Sequence, residues 1–143
     1  MFQGPLSVHP AAAPWYGVDV DIESFQVAAE EIFAGLPEYF IRGIENVAIF
    51  VEEEADAETL ERMAFDDPDE LLGLYQGLPL PDRGSGYGGY PPDMIHLYRR
   101  PILAFCRQHG EEVRHCIRHV LIHEIGHYFG FSDAQMHAIE RDP

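Results

Sequence analysis

Two histidines four residues apart, His123 and His127, flank a glutamate in the segment His123-Glu124-Ile125-Gly126-His127. Because an α-helix has about 3.6 residues per turn, both imidazoles project from one face and can hold the same zinc ion. Glu124 lies about 100° around such a helix from His123, so it can reach a water molecule on the metal without ligating the metal itself. The segment therefore predicts a metal site with a general base beside it.

The next residues of interest are Gly130 and Asp133, which extend the pattern to H-E-x-x-H-x-x-G-x-x-D. Glycine lets the chain leave the helix with a positive φ and turn back, so that Asp133 can approach the metal from another side. Asp133 has a plainer explanation too, because an acidic residue in a helix's first turn is stabilising without any metal. His137 is the rival third ligand. The pattern favours Asp133, with an open fourth position for water.

At these residues the sequence resembles the zincin metallopeptidases, with aspartate in the third-ligand place of the metzincin arrangement. It is most similar to the minimal zincins, and the similarity runs from the Leu-Leu-Gly-Leu-Tyr segment at 71–75 through His-Leu-Tyr-Arg-Arg-Pro at 96–101 to the C-terminus. This resemblance implies one zinc ion held by His123, His127 and Asp133, with Glu124 as the catalytic glutamate. It also implies a small mixed sheet packed on helices, with an edge strand lining the substrate cleft.

The residues after the motif depart from the metzincin pattern, because no separate methionine turn follows Asp133 at a distance. Met136 can take the place of that methionine, but the sequence favours a simpler role. Ser132 and Gln135 have the spacing of a helix capping box, and Phe131 with Met136 has the spacing of a hydrophobic staple.

Further histidines precede the motif at positions 115 and 119. Each step of four residues drifts about 40° around a helix, so His115 points away from His127 and cannot share its ion. His119 is predicted to line the cleft or support a ligand, or else to lie on an exposed helix face. Tyr87, Tyr90, Tyr98 and Tyr128 are available as oxyanion donors, and nothing in the sequence ranks them.

The helices and strands that must position this site are predicted to form an α+β fold with a mixed sheet of three or four strands. Apolar periodicity predicts helices over 21–34, 102–109, 111–129 and 133–140, a helical turn near 57–64, and strands over 47–51, 71–75 and 94–99. The active-site helix is 111–129. The strand Met94 to Arg99 is our candidate for the edge of the cleft.

Domain organisation is predicted to be simple: an extended N-terminal arm over 1–18, pinned by Trp15 and Tyr16, and one domain over 19–143. The segment 77–92 is rich in glycine and proline, which excludes a helix or an interior strand and favours a mobile flap. Cys106 and Cys116 are expected to be buried free thiols. A disulfide between them requires two neighbouring helices to bring them together.

The net charge of −16 argues against nucleic acid and anionic membranes as partners, and no apolar run is long enough to span a bilayer. With no signal-peptide pattern, the sequence predicts a cytoplasmic protein. Its predicted function is zinc-dependent hydrolysis of a peptide or protein substrate, general or confined to a narrow substrate. The alternative is a non-catalytic module in which zinc stabilises a protein-interaction surface.

Overall fold

The computed structural model describes residues 14–44, 46–77 and 92–142. Within these ranges the chain forms six α-helices and one mixed sheet of three strands, which confirms the predicted α+β fold. The helices are α1 (Ile22–Ala34), α2 (Glu38–Ile41), α3 (Ala57–Met63), α4 (Arg99–His109), α5 (Val113–Tyr128) and α6 (Asp133–Arg141), and the strands are β1 (Val47–Glu52), β2 (Gly73–Gln76) and β3 (Asp93–Tyr98).

The sheet has the order β1-β3-β2, with β1 parallel to β3 and β2 antiparallel to it. The expectation that Met94 to Arg99 forms the cleft edge is therefore wrong, because β3 is the central strand. Its polar positions are explained by pairing across the sheet. The His96 ring lies 2.7 Å from Oε1 of Glu52 on β1 and 2.9 Å from Oε1 of Gln76 on β2. A strand with a neighbour on each side can therefore alternate apolar and polar residues, because its polar side chains find partners on both neighbours.

The predicted helices begin within two residues of the expected position, except α4. Asp21 caps α1 by accepting a hydrogen bond from the Ser24 amide at 2.8 Å, and the same hydrogen bonding lowers the pKa of Asp21. Helix α4 begins at Arg99 and not at 102. Pro101 lies in the first turn of α4, where a backbone N–H makes no intrahelical hydrogen bond, so proline is tolerated there. The helix therefore begins two residues before the proline and not after it. The short helix α2 was not predicted.

The core lies between the sheet and helices α1 and α5, which lie side by side against it. Helix α1 contacts β1, and α5 contacts β2. Helix α5 is the most buried helix: Ile117, Leu121, Ile122 and Ile125 are fully buried. Burying each such side chain contributes roughly 1.5–3 kcal/mol relative to leaving it exposed, so this apolar face fixes the helix that carries the histidines.

In the described part of the N-terminal arm, residues 14–18, Trp15 contacts the start of α5. The Trp15 amide donates to Oε2 of Glu112 at 2.8 Å, and the Trp15 carbonyl accepts from the Val113 amide at 3.0 Å. The Arg114 guanidinium lies 4.0 Å from the centre of the indole ring. Trp15 thus packs on the start of α5, whereas Tyr16 is 61% exposed. The extended arm over 1–18 stays a prediction.

Both cysteines are buried and free, as predicted. Helices α4 and α5 bring them together, and the two thiols hydrogen-bond each other. The rest of the arm, residues 1–13, and nearly all of the glycine- and proline-rich segment, residues 78–91, lie outside the described residues. In the described ranges, no helix combines the length and the apolar character needed to cross a bilayer.

Candidate metal centre and catalytic cleft

The motif lies on α5, whose two ends are fixed by specific caps. Glu112 accepts from the His115 amide at 3.0 Å at the start, and Gly130 adopts φ +80° just beyond the end. Such a φ favours glycine, which supports the predicted turn. The next helix starts with the predicted capping box, since the Gln135 amide donates to Ser132 Oγ at 3.1 Å and the Ser132 amide donates to Gln135 Oε1 at 2.8 Å.

The predicted ligands lie near the junction of α5 and α6. The rings of His123 and His127 meet edge to face, with centroids 5.8 Å apart. Asp133 is the first residue of α6 and its side chain is exposed. The His137 ring is 6.2 Å from that of His123. Ligation by His123, His127 and Asp133 remains a prediction.

A different set of ligand-type residues is gathered tightly in the structure. Among the described residues, His119, His123 and Glu140 form the group whose ligand atoms all lie within 4.8 Å of one another. His119 Nδ1 is 2.6 Å from Glu140 Oε2, and His123 Nε2 is 2.9 Å from Glu140 Oε1. One carboxylate therefore bridges two imidazoles that are one helical turn apart.

The bridging carboxylate has a pKa that reflects these contacts. Partial burial raises the pKa of Glu140, but hydrogen bonds from His119 and His123 and the charge of both rings outweigh it, so the pKa lies below its usual value. Glu140 is held as a carboxylate between the two rings. Sequence analysis did not single it out, although its place seven residues after Asp133, two helical turns on, puts it on the same side of α6.

The position of Glu140 is fixed by Arg118. Its guanidinium donates to three main-chain carbonyls at the end of α6, those of Ile139 at 3.3 Å, Glu140 at 3.0 Å and Asp142 at 2.7 Å. The end of a helix leaves main-chain carbonyls without intrahelical partners. Of these three, the Ile139 carbonyl also accepts from the Asp142 amide at 3.0 Å. Arg118 thus ties the C-terminal end of α6 to the middle of α5.

Glu124 faces a cleft and is largely removed from water. Burial raises the pKa of its carboxyl group to about 7, so that it can take up and release a proton near neutral pH. A cavity of about 220 Å³ is lined by Glu124 together with His119, His123, Leu72 and Gly73. Both histidines of the bridged pair thus open on the same space as the predicted base.

The start of β2 and the two residues before it, 71–73, line this cleft opposite α5. At Gly73 the strand approaches the helix so closely that a Cβ atom would lie 2.8 Å from Val120 Cγ1 and 3.0 Å from the His96 carbonyl oxygen. Real Cβ atoms do not come so near, and glycine permits the approach. In the described sheet β2 is an outer strand, so it takes the edge position expected earlier of Met94 to Arg99.

Two of the tyrosines considered as oxyanion donors lie in the described residues. Tyr98 is buried, and this burial with the nearby carboxylates raises its pKa to about 12. Tyr128 is 45% exposed and stacks on Tyr75 with ring centroids 4.2 Å apart. Tyr87 and Tyr90 fall outside the described ranges.

The donor atoms at this junction suit a zinc ion. Imidazole nitrogens with a carboxylate oxygen are a common zinc ligand set, and three protein ligands leave the open position that a catalytic site needs. The predicted set of His123, His127 and Asp133 has this chemistry, and Glu124 is placed beside it. Among the described residues, the structure does not gather the ligand atoms of His123, His127 and Asp133 as closely as those of His119, His123 and Glu140, so the fit of the predicted set rests on donor type.

Comparison with known proteins bears on the same region. The sequence model of a family described as zincin-like metallopeptidase matches residues 44–142. This range contains the whole described sheet, both helices of the junction and every residue discussed as a ligand or base. No curated protein matches the chain.

Proposed function

The chain belongs to the zincin-like metallopeptidase family, and from that premise we propose that it hydrolyses peptide bonds with one zinc ion per chain. The proposed ligands are His123, His127 and Asp133. When bound, zinc supplies a Lewis acid that polarises a carbonyl group and lowers the pKa of a water molecule.

The observation that carries this proposal is the environment of Glu124. Its carboxyl group is partly buried, has a pKa raised to about 7, and lines the same cavity as His123. In the proposed reaction Glu124 takes the proton of the attacking water and later passes it to the leaving amine. A group that must both accept and donate a proton works best when its pKa lies near the working pH.

The proposed substrate is a peptide or protein bound in extended form along β2. Leu72 and Gly73 line the cavity that holds Glu124, and β2 is an outer strand of the described sheet. An extended peptide can add a strand to such an edge through main-chain hydrogen bonds. The acidic surface that argues against nucleic acid does not hinder binding by strand addition, because main-chain hydrogen bonds require no charge on the peptide.

Two measurements test the proposal. Elemental analysis of wild type and Asp133→Ala is expected to give one zinc per wild-type chain and a clearly weakened affinity in the variant. A peptide-library assay is expected to show hydrolysis by wild type and its loss in Glu124→Gln, with the metal retained. Glu58→Gln, an exposed carboxylate of α3, is the matched control. Equal hydrolysis by Glu124→Gln and wild type would contradict the mechanism.

The second candidate is a non-catalytic zinc-stabilised interaction module. It is favoured by one observation, that α6 is held on α5 by ligand-type side chains, His119 and His123 to Glu140. A metal ion at this junction would stabilise the packing of the last helix whether or not catalysis occurs. Zinc binding with no hydrolysis of any library peptide would support this candidate.

A further inference from the structure

We propose that His119, His123 and Glu140 form a second binding site for a divalent transition-metal ion, which shares His123 with the proposed catalytic site. The proposal rests on the arrangement of the three side chains and does not require the chain to be a peptidase.

The three side chains already have nearly the separation that a metal ion demands. Zinc bonds of about 2.0–2.2 Å in tetrahedral geometry place ligand atoms roughly 3.4 Å apart. The ligand atoms of His119, His123 and Glu140 all lie within 4.8 Å of one another, and two of the contacts are 2.6 and 2.9 Å. Binding requires the side chains to rotate so that the contacts of 2.6 and 2.9 Å open to roughly 3.4 Å, with the ion taking the place of the two hydrogen bonds.

The site is held by packed elements. His119 and His123 lie one turn apart on α5, with the buried residues Val120, Leu121 and Ile122 between them. The main chain at Glu140 is bound by the Arg118 guanidinium. Side chains supported in this way lose little entropy when a metal binds, which favours affinity.

The site is also reachable from solvent. The side chains of His119, His123 and Glu140 are 40%, 20% and 20% exposed, and the two histidines border the cavity of about 220 Å³. Three protein ligands leave at least one coordination position open on that side. Two imidazoles with one carboxylate favour Zn²⁺, Co²⁺, Ni²⁺ or Cu²⁺ over Mg²⁺ or Ca²⁺, which prefer oxygen ligands.

Sharing His123 makes the two sites compete. An ion at His119, His123 and Glu140 removes one ligand from the set of His123, His127 and Asp133. The chain then holds one ion at a time through His123, and the division between sites depends on the ratio of the two affinities and not on the metal concentration. This last consequence rests on the proposed function, whereas the existence of the second site does not.

The test uses a background in which the proposed catalytic site is removed, the full chain carrying His127→Ala and Asp133→Ala. The probe is Zn²⁺ alone, titrated in competition with a chromophoric chelator, with Co²⁺ spectra as an independent report on coordination. We expect one Zn²⁺ per chain in this background. Adding His119→Ala or Glu140→Gln is expected to weaken binding on the order of tenfold to a hundredfold or more.

The matched control is His115→Ala in the same background. It removes an exposed imidazole one turn before His119 on α5 and is expected to leave the affinity for Zn²⁺ unchanged. Circular dichroism and the metal-free unfolding midpoint of each variant separate lost ligation from lost folding. The proposal is overturned if the background binds no Zn²⁺, or if its binding depends on His137 and not on His119 and Glu140. Since no hydrolysis is measured, failure here is distinct from failure of the proposed peptidase activity.

Discussion

The side chain of Met136 fills the space beside Gly126 that a side chain at position 126 would occupy. A Cβ atom built on Gly126 would overlap the sulfur of Met136, and Met136 is fully buried. Phe131 also lies against this position, at 3.6 Å. The glycine between Glu124 and His127 therefore allows α6 to pack closely under the histidine-bearing helix.

Gly126→Ala is expected to lower the free energy of unfolding. An added methyl group in a filled core costs typically 1–3 kcal/mol, while alanine gains roughly 0.5–1 kcal/mol over glycine in a helix. We expect a net loss of about 1–2 kcal/mol, measured by urea denaturation. Gly35→Ala is the control, because its Cβ would meet only ordinary contacts at 3.6 and 3.7 Å. A Gly126→Ala variant as stable as this control would contradict the packing argument.

Tyr75→Phe is expected to destabilise the pairing of β2 with β3. The Tyr75 hydroxyl donates to Oδ2 of Asp93 at 2.7 Å, and Asp93 is a buried carboxyl group, 5% exposed. Removing a donor from a buried carboxyl group costs about 1–3 kcal/mol. The same change at Tyr39, which is 52% exposed, should alter the denaturation midpoint little. Equal losses of stability at Tyr75 and Tyr39 would argue against a contribution from the hydrogen bond between Tyr75 and Asp93.

The two thiols are expected to be unreactive in the folded protein. Cys106 and Cys116 are 2% and 1% exposed. The hydrogen bond between the thiols raises the pKa of Cys116, as does burial, and lowers the pKa of Cys106. The expected lack of reaction therefore rests on burial, which keeps the reagent away from either sulfur, and not on the acidity of the thiols. Titration with Ellman's reagent at pH 8 should detect neither thiol without denaturant and both in guanidinium chloride. Rapid reaction of the native chain would show that α4 and α5 separate readily.

Zinc is expected to stabilise the folded chain. A ligand that binds only the folded state adds about 2.7 kcal/mol at a free concentration one hundred times its dissociation constant. The unfolding midpoint should rise on adding Zn²⁺ and fall back with EDTA. Glu124→Gln should keep this shift, because Glu124 is not a proposed ligand, whereas His123→Ala should lose most of it. An unchanged midpoint in wild type at saturating Zn²⁺ is the contrary result.

The local chemistry of the site could be predicted because it is encoded by short-range spacing. The limits of α5, the turn at Gly130 and the Ser132–Gln135 capping box depend on residues within a few positions of one another. Such features need only helical geometry and side-chain type to be recognised.

Long-range relationships could not be predicted in the same way. The order of strands depends on which segments pair, and the alternation that predicts the strand at Met94 to Arg99 does not say whether it is central or at the edge. In the structure His96 lies between Glu52 and Gln76 on the two neighbouring strands. The contact of Glu140 with His119 spans 21 residues and depends on the angle between α5 and α6. That angle is set by the Gly130 turn and by the packing of Met136.

The three hydrogen bonds from Arg118 close a loop of the main chain that runs from α5 around the Gly130 turn to Asp142. Every residue proposed as a ligand or base lies within this loop of the main chain. Fraying at the C-terminal end of α6 is therefore opposed by the Arg118 hydrogen bonds before it spreads to the proposed site residues. The segment should exchange its amide hydrogens as one cooperative unit, and the site should loosen only when that unit opens.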